Sequence, residues 1–249
     1  LASKGADLVL AVRNREKGEK AAARIMPVNG HQPVSVMQLD LADLESVRRF
    51  AEEYAARFDR LDVLINNAGV MVPPYSLTKN GFELQFGTNH LGHFALTAHL
   101  LPLLTATPLS RVVITSSIAA RNARIDFNNL DGSKGYNPMR FYRQSKLSNL
   151  LFAVELQNRL ERAGVSTISV ACHPGISVTN LLSRGSERET GQVMKTLMRI
   201  VAQPADKGAL PTLFAATNPD LRGGEFIGPD GPRNHKGYPV LTNDAARLY

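Results

Sequence analysis

The chain has 249 residues, 43% hydrophobic and 20% charged, with a single cysteine. That is globular composition, enough to bury a sizeable core, and it excludes a disulfide framework within the chain. The net charge of +7 is spread with no block of five or more basic residues. It reads as a solvated basic surface or as steering for a polyanionic cofactor, and nucleic acid is the weaker option.

In chain order, short β-rich apolar runs alternate with helix-period segments. LVLAV (8–12) is followed by a helical pattern near 15–25, then VSVMQL (34–39) and a helix near 44–58. LDVLI (61–65) precedes a helical stretch over 81–104, and RVVIT (111–115) precedes one over 141–163. STISVAC (166–172) and a weaker EFIG (225–228) complete the series. Strands that are nearly continuous Val, Ile and Leu, separated by helices, predict a parallel sheet covered on both faces. No repeat or linker divides the chain, so residues 1–249 are taken as one domain. The richest apolar stretch, 96–109, is interrupted by His99 and Pro102, and no run reaches a membrane span. The segment 181–205 mixes Gly, Ser and charge with Leu181, Leu182, Val193, Met194, Leu197 and Met198. It reads as a surface insertion or as a mobile lid over a lipophilic ligand.

Three segments carry candidate chemistry. LDVLINNAGV ends a buried strand in Asn66-Asn67-Ala68-Gly69, which suits a tight turn. It also lies at a strand's carboxyl end, where ligands sit in open α/β sheets. RVVITSSIAA ends another strand in Ser116-Ser117. Those hydroxyls cap the next element or bind a substrate oxygen. Asn89 stands inside a helical pattern, where Asn is a mediocre former, so it calls for a structural or a functional hydrogen bond. His90, His93 and His99 share that stretch, but no cysteine or acid joins them at metal spacing, and no metal is expected.

Tyr-x-x-x-Lys occurs twice. Tyr75–Lys79 is flanked by Pro73-Pro74 and Asn80-Gly81, breakers that predict a loop. Tyr142–Lys146 opens a long helix with an apolar stripe of Leu147, Leu150, Leu151 and Val154. There the two side chains lie ~40° apart around the axis and one turn apart along it. An ammonium beside the phenol is expected to lower the tyrosine's pKa toward the range useful for proton transfer. Ser117 could share a substrate oxygen with Tyr142, and a carbonyl so held needs a hydride, which implies a nicotinamide cofactor.

Asn66-Asn67-Ala68-Gly69, Asn89, Ser117 and Tyr142-x-x-x-Lys146, in that order, resemble the short-chain dehydrogenase/reductase family, and the resemblance covers essentially the whole chain. AVRNREKG, TNHLGHF and QSKLSNLLF are similar to its retinol-dehydrogenase-like and WW-domain-oxidoreductase-like branch. The resemblance implies a doubly wound, Rossmann-like α/β fold and hydride transfer between NADP(H) and a small carbonyl or alcohol substrate. The catalytic residues would be Asn89, Ser117, Tyr142 and Lys146, with Lys146 also on the nicotinamide ribose and Asn89 supporting a proton relay to it. Asn66, Ala68 and Gly69 would wall the cofactor. Asp40 would meet the adenine ring, and Ser177 and Thr179 the nicotinamide end. Pairing through the helices near 81–104 and 141–163 would give a homodimer or homotetramer, and branch members suggest a lipophilic substrate.

After LVLAV the chain continues Arg13-Asn14-Arg15, with no acid at the turn. An acid would suit the ribose 2′-hydroxyl of NAD(H), whereas a guanidinium suits a 2′-phosphate, so NADP(H) is expected. The family's opening strand and Gly-rich turn match nothing here. The expectation is that the chain begins after that βα unit, about 30 residues late. The rival reading is a catalytically silent NADP(H)-binding regulatory protein, which the intact tetrad disfavours and the missing turn favours. The lone cysteine fits a reducing compartment, and a cytoplasmic location is expected.

Overall fold

In the computed structural model, residues 1–25, 34–176 and 203–242 are described. Six strands match the predicted runs: β1 (Leu8–Val12), β2 (Val34–Gln38), β3 (Val63–Asn66), β4 (Arg111–Thr115), β5 (Ile168–Cys172) and β6 (Phe226–Pro229). A seventh, β7 (Pro239–Leu241), runs antiparallel to β6, while every other pair is parallel. β3 begins two residues later than its apolar run. The Leu61 N–H donates to Thr107 Oγ1 at 3.1 Å, so the ladder cannot start there.

The strands form two ladders, β1-β2 and β3-β4-β5-β6-β7. β1 and β3 share no ladder, and each keeps one edge without a strand partner among the described residues. Among the described residues, side-chain packing rather than backbone hydrogen bonding unites the ladders. Met37 and Leu39 from the β2 side lie in one core with Val47 and Phe50 of α2 (Leu44–Arg57) and with Leu64 and Val112 of the larger sheet. Leu96, Leu100 and Leu104 fill the same core. The opposite face of the larger sheet buries Val113, Val170, Cys172 and Ile227 against Ala215 and Ala216. Alternate residues of β4 thus enter different cores, as a period of two requires of a strand covered on both faces.

The helices follow the pattern with informative differences. α1 (Arg15–Ala22) and α2 are capped by Asn14 and Asp43, whose side chains accept from Lys17 N and Glu45 N. The stretch predicted as one helix over 81–104 is three pieces: a short α3 (Leu84–Phe86), a wide π turn (Gly87–Leu91), and α4 (Gly92–Ala106). Gly92 N reaches back five residues to Gly87 O. Gly92 has no room for a side chain, since a Cβ would sit 2.9 Å from that of Leu41 and nearer still to the Leu41 carbonyl. α5 (Pro138–Arg162) starts earlier than predicted, because Asn137 caps it and Pro138 occupies the first helical position. Leu151, expected in its apolar stripe, is 38% exposed, whereas Lys146, Ser148 and Asn149 are buried. α6 (Ala205–Thr217) carries Gly208 and Pro211 and was not predicted. Of the candidate lid, only residues 203–205 are described, and Ser177 and Thr179 lie outside the described residues. No described helix is long and apolar enough to cross a membrane.

Candidate active site

The carboxyl ends of β3 and β4 meet the middle of α5, and most of the predicted residues gather there. Tyr142 is buried on α5, and the Ser117 hydroxyl lies near enough to its phenol to act on its ionisation. Ser117 holds its place as the cap of a short turn, its Oγ accepting from Ala119 N at 3.1 Å. Ser116, its neighbour, turns inward and donates to the Lys146 carbonyl at 2.7 Å, pinning α5 to the end of β4. The first serine of the pair is therefore structural and the second faces the phenol.

Lys146 lies beneath them, 4% exposed, its ammonium donating to Thr115 O at 3.0 Å. Asn149, one turn on, donates to the same carbonyl and to Asn89 O, both at 3.0 Å. His93 Nδ1 also lies 2.9 Å from Asn89 O. A carbonyl only accepts, so His93 is the Nδ1–H tautomer. The π turn presents this carbonyl to two donors from different elements. The Asn89 side chain is equally committed: Oδ1 accepts from Val70 N at 2.8 Å, and Nδ2 donates to Val70 O at 2.9 Å and to Ser145 Oγ at 3.0 Å.

Gly69 lies against the same group of side chains. A Cβ there would stand 3.0 Å from Asn89 Oδ1 and 3.8 Å from Lys146 Nζ. The backbone can thus lie this close to the Asn89 amide because the residue has no side chain, whereas Lys146 would be met at ordinary contact distance. Ala68 is exposed and Gly69 half-buried, so the loop is open to a ligand. Asn66 is not: it is 1% exposed and its amide donates to Thr97 Oγ1 at 2.8 Å, turned into the helix layer. Asp40 sits half-buried beyond β2 and Oδ1 accepts from Ala42 N at 2.9 Å. The Arg13 side chain is exposed at the carboxyl end of β1.

Electrostatics here is dominated by desolvation. Burial raises the Tyr142 phenol above its ordinary value, and the Ser117 hydroxyl offsets part of that. The expected lowering by Lys146 does not prevail: its Nζ stands 6.0 Å from the tyrosine ring centroid and is aimed at Thr115 O. Burial brings Lys146 itself down to about 8. The folded lysine therefore binds its proton more weakly than the unfolded one, which costs stability below pH 8 and nothing above pH ~10.5. Lys146→Met should accordingly unfold at higher urea than the parent at pH 7, by about 1–3 kcal/mol, after allowing for the donor lost to Thr115 O. The gap should close as pH rises from 8 to 10. Equal stability at both ends would show the ammonium to be well solvated.

The second Tyr-x-x-x-Lys is dispersed. The Tyr75 hydroxyl donates to Asp131 O at 3.1 Å, and Lys79 pairs with Asp43 at 2.9 Å. Residues 1–190 match the family described as short chain dehydrogenase. The chain belongs to the short chain dehydrogenase family. Among this family's curated members, it is 49% identical over 186 residues to human retinol dehydrogenase 11, covering 75% of this chain and 58% of that protein. It is 39% identical over 243 residues to human retinol dehydrogenase 14, covering 90% and 71%. A crystal structure of an uncharacterized protein from Mycobacterium paratuberculosis superposes with a TM-score of 0.77 at 42% identity, covering 100% of this chain and 83% of that one. The chain thus spans little more than half the length of retinol dehydrogenase 11.

Asn89, Ser117, Tyr142 and Lys146, expected from the resemblance, lie together here, whereas Asn149 was not singled out and Ser116 was raised only beside Ser117. Asn149 had a signal, being a polar residue on the Tyr142–Lys146 face of α5. Ser116 had none that distinguishes it from Ser117.

Proposed function

We propose that the protein is an NADP(H)-dependent oxidoreductase that interconverts a lipophilic carbonyl compound and its alcohol. The observation that carries this reading is the convergence of Ser117, the buried Tyr142 and the buried Lys146 at the point where Gly69 lies against Asn89. The residues suit a nicotinamide cofactor: Gly69 brings bare backbone against the Asn89 amide, where a Cβ would be crowded, with the Lys146 ammonium close by. Bound there, the cofactor supplies or accepts the hydride. Tyr142 Oη gives its proton to the substrate oxygen in reduction and takes one from the alcohol in oxidation. Ser117 Oγ orients that oxygen. Lys146 would lie under the nicotinamide ribose, with Gly69 and Ala68 offering backbone to the cofactor.

Three observations support the finer points. Arg13 is an exposed guanidinium at the end of β1, suited to a 2′-phosphate. Val72, Phe127 and Met139 follow Gly69, follow Ser117 and precede Tyr142, and they are 39%, 77% and 42% exposed, an apolar character suited to a lipophilic substrate. The curated relatives are named retinol dehydrogenases. A cytoplasmic location is proposed on the buried free thiol of Cys172 alone.

The test is turnover of retinal and of a panel of hydrophobic aldehydes and ketones with NADPH and with NADH, together with cofactor affinities. NADPH should be preferred, and Arg13→Ala should weaken NADPH about tenfold or more while leaving NADH nearly unchanged. Tighter NADH binding by the parent, or an unaltered preference in Arg13→Ala, would overturn the cofactor assignment. NADPH binding without turnover across the panel would favour the silent regulatory reading.

A further inference from the structure

Gln85 is 0% exposed in α3, on the side of the π turn away from α4. No step of the proposed chemistry uses it. Its side-chain amide nevertheless ties together two segments that carry the candidate site. Oε1 accepts from Val72 N at 2.8 Å, three residues beyond Gly69. Nε2 donates to Pro138 O at 2.9 Å, in the first turn of the helix that carries Tyr142 and Lys146. Longer contacts of 3.3 Å reach Tyr136 Oη and Glu83 Oε1. Tyr136 extends the tie by donating to Pro73 O at 2.7 Å.

The backbone that Gln85 grips is strained. Val72 has φ of 53°, a left-handed conformation that a β-branched residue adopts only when its surroundings impose it. Val72 is also 39% exposed, so packing alone does not impose it. The hydrogen bond to a fully buried amide is what holds the residue.

Asn89, four residues later, makes the parallel connection. It grips Val70 by both backbone atoms and reaches Ser145 on α5. The two amides therefore form two rungs between the same pair of rails. One rung joins Val70 to Ser145, and the other joins Val72 to Pro138, two helical turns earlier on α5. One rung would fix a distance; two fix an angle as well.

We infer that Gln85 is a positioning residue that sets the orientation of the Tyr142 helix against the loop following Gly69. The inference rests on the proposed oxidoreductase reading for its kinetic consequence, but not for its structural one. A misplacement of about 1 Å at a reacting group can lower a rate on the order of 100-fold. Removal of this rung should therefore appear in kcat. Cofactor affinity should change little, because Asn89 still holds Val70 beside Gly69.

The experiment compares the parent with Gln85→Met, which keeps the side chain's length and loses its hydrogen bonds, and with Leu160→Ala as a control for lost stability. Leu160 is a core residue far along α5. In a retinal-reduction assay, Gln85→Met should lose 10- to 100-fold in kcat with the KM for NADPH within threefold. The control should keep kcat within threefold. Amide deuterium exchange on the cofactor-free chain should show the Val72 N–H protected in the parent and in Leu160→Ala, and exposed in Gln85→Met. A kcat for Gln85→Met within twofold of the parent, or an equal loss in the control, would overturn the inference. So would a Val72 amide that exchanges alike in all three proteins. If the parent itself turns over no carbonyl substrate, the functional reading fails, and the exchange measurement alone decides the role of Gln85.

Discussion

Tyr142→Phe should lower kcat for carbonyl reduction by a factor of roughly 10² to 10⁴, the usual contribution of a positioned proton donor. The substitution removes one oxygen and leaves the ring in its buried site, so folding and cofactor affinity should be close to those of the parent. Among the described residues, Ser117 is the side chain whose surroundings the lost hydroxyl changes. Because burial raises the phenol's pKa, the parent tyrosine is protonated at neutral pH and is ready to donate. Reduction should therefore be flat through neutrality, while oxidation of the alcohol, which needs a base, should accelerate as pH rises. The check is steady-state kinetics in both directions with an independent cofactor titration. Turnover by Tyr142→Phe near the parental rate would remove this residue from the chemistry.

The second large effect concerns acid. Burial lowers His90 and His93 to about 4 each. Both are neutral in the folded protein at pH 7, His93 donating to Asn89 O and His90 within 3.2 Å of Asn149 Oδ1. In the unfolded chain a histidine takes up its proton near pH 6.5. Between there and pH 4 the unfolded state binds more protons, so stability falls as pH falls. A depression of that size corresponds to roughly 3 kcal/mol per histidine, against a typical total of about 5–15 kcal/mol. Glu83 opposes this, since burial raises its carboxyl and folding then favours its protonated form in the same acid window. Two histidines outweigh one carboxyl, and a net loss of several kcal/mol is expected. Urea denaturation at pH 7, 5.5 and 4.5 should show it, and His90→Gln/His93→Asn should flatten the slope. A parental slope retained in the double variant would assign the acid sensitivity elsewhere.

The fold was legible wherever hydrophobic pattern and environment agreed. β1 and β4 were read to the residue, because both are apolar runs bounded by a turn. β7 escaped because three residues at a sheet edge leave no periodic trace, and α6 because Gly208 and Pro211 read as breakers although tertiary contacts override them. α5 was read late although Asn137 and Pro138 state its start plainly. At the site, residue types pointed to Ser117, Tyr142 and Lys146, and helical context against flanking breakers separated Tyr142–Lys146 from Tyr75–Lys79, whose spacing is the same. The sequence could not reveal that Asn66 faces inward or that Lys146 is aimed at a carbonyl, since both depend on which atoms water can reach. Gln85 and Asn149 were invisible as partners because their bonds cross 53 and 34 residues.

The π turn at Gly87–Leu91 also acts as a phase shifter. One extra residue in that turn rotates everything downstream by about 100° relative to a regular helix. Gln85 and Asn89 thereby face the loop and α5, while Leu96, Leu100 and Leu104 face the core. The helix can keep both commitments only at this length. Deleting a single residue between 87 and 91 would ease the turn into regular geometry, yet it would swing either the amides off their rails or the leucines into water. Single-residue length changes in this turn should therefore be far less tolerated than most substitutions within it.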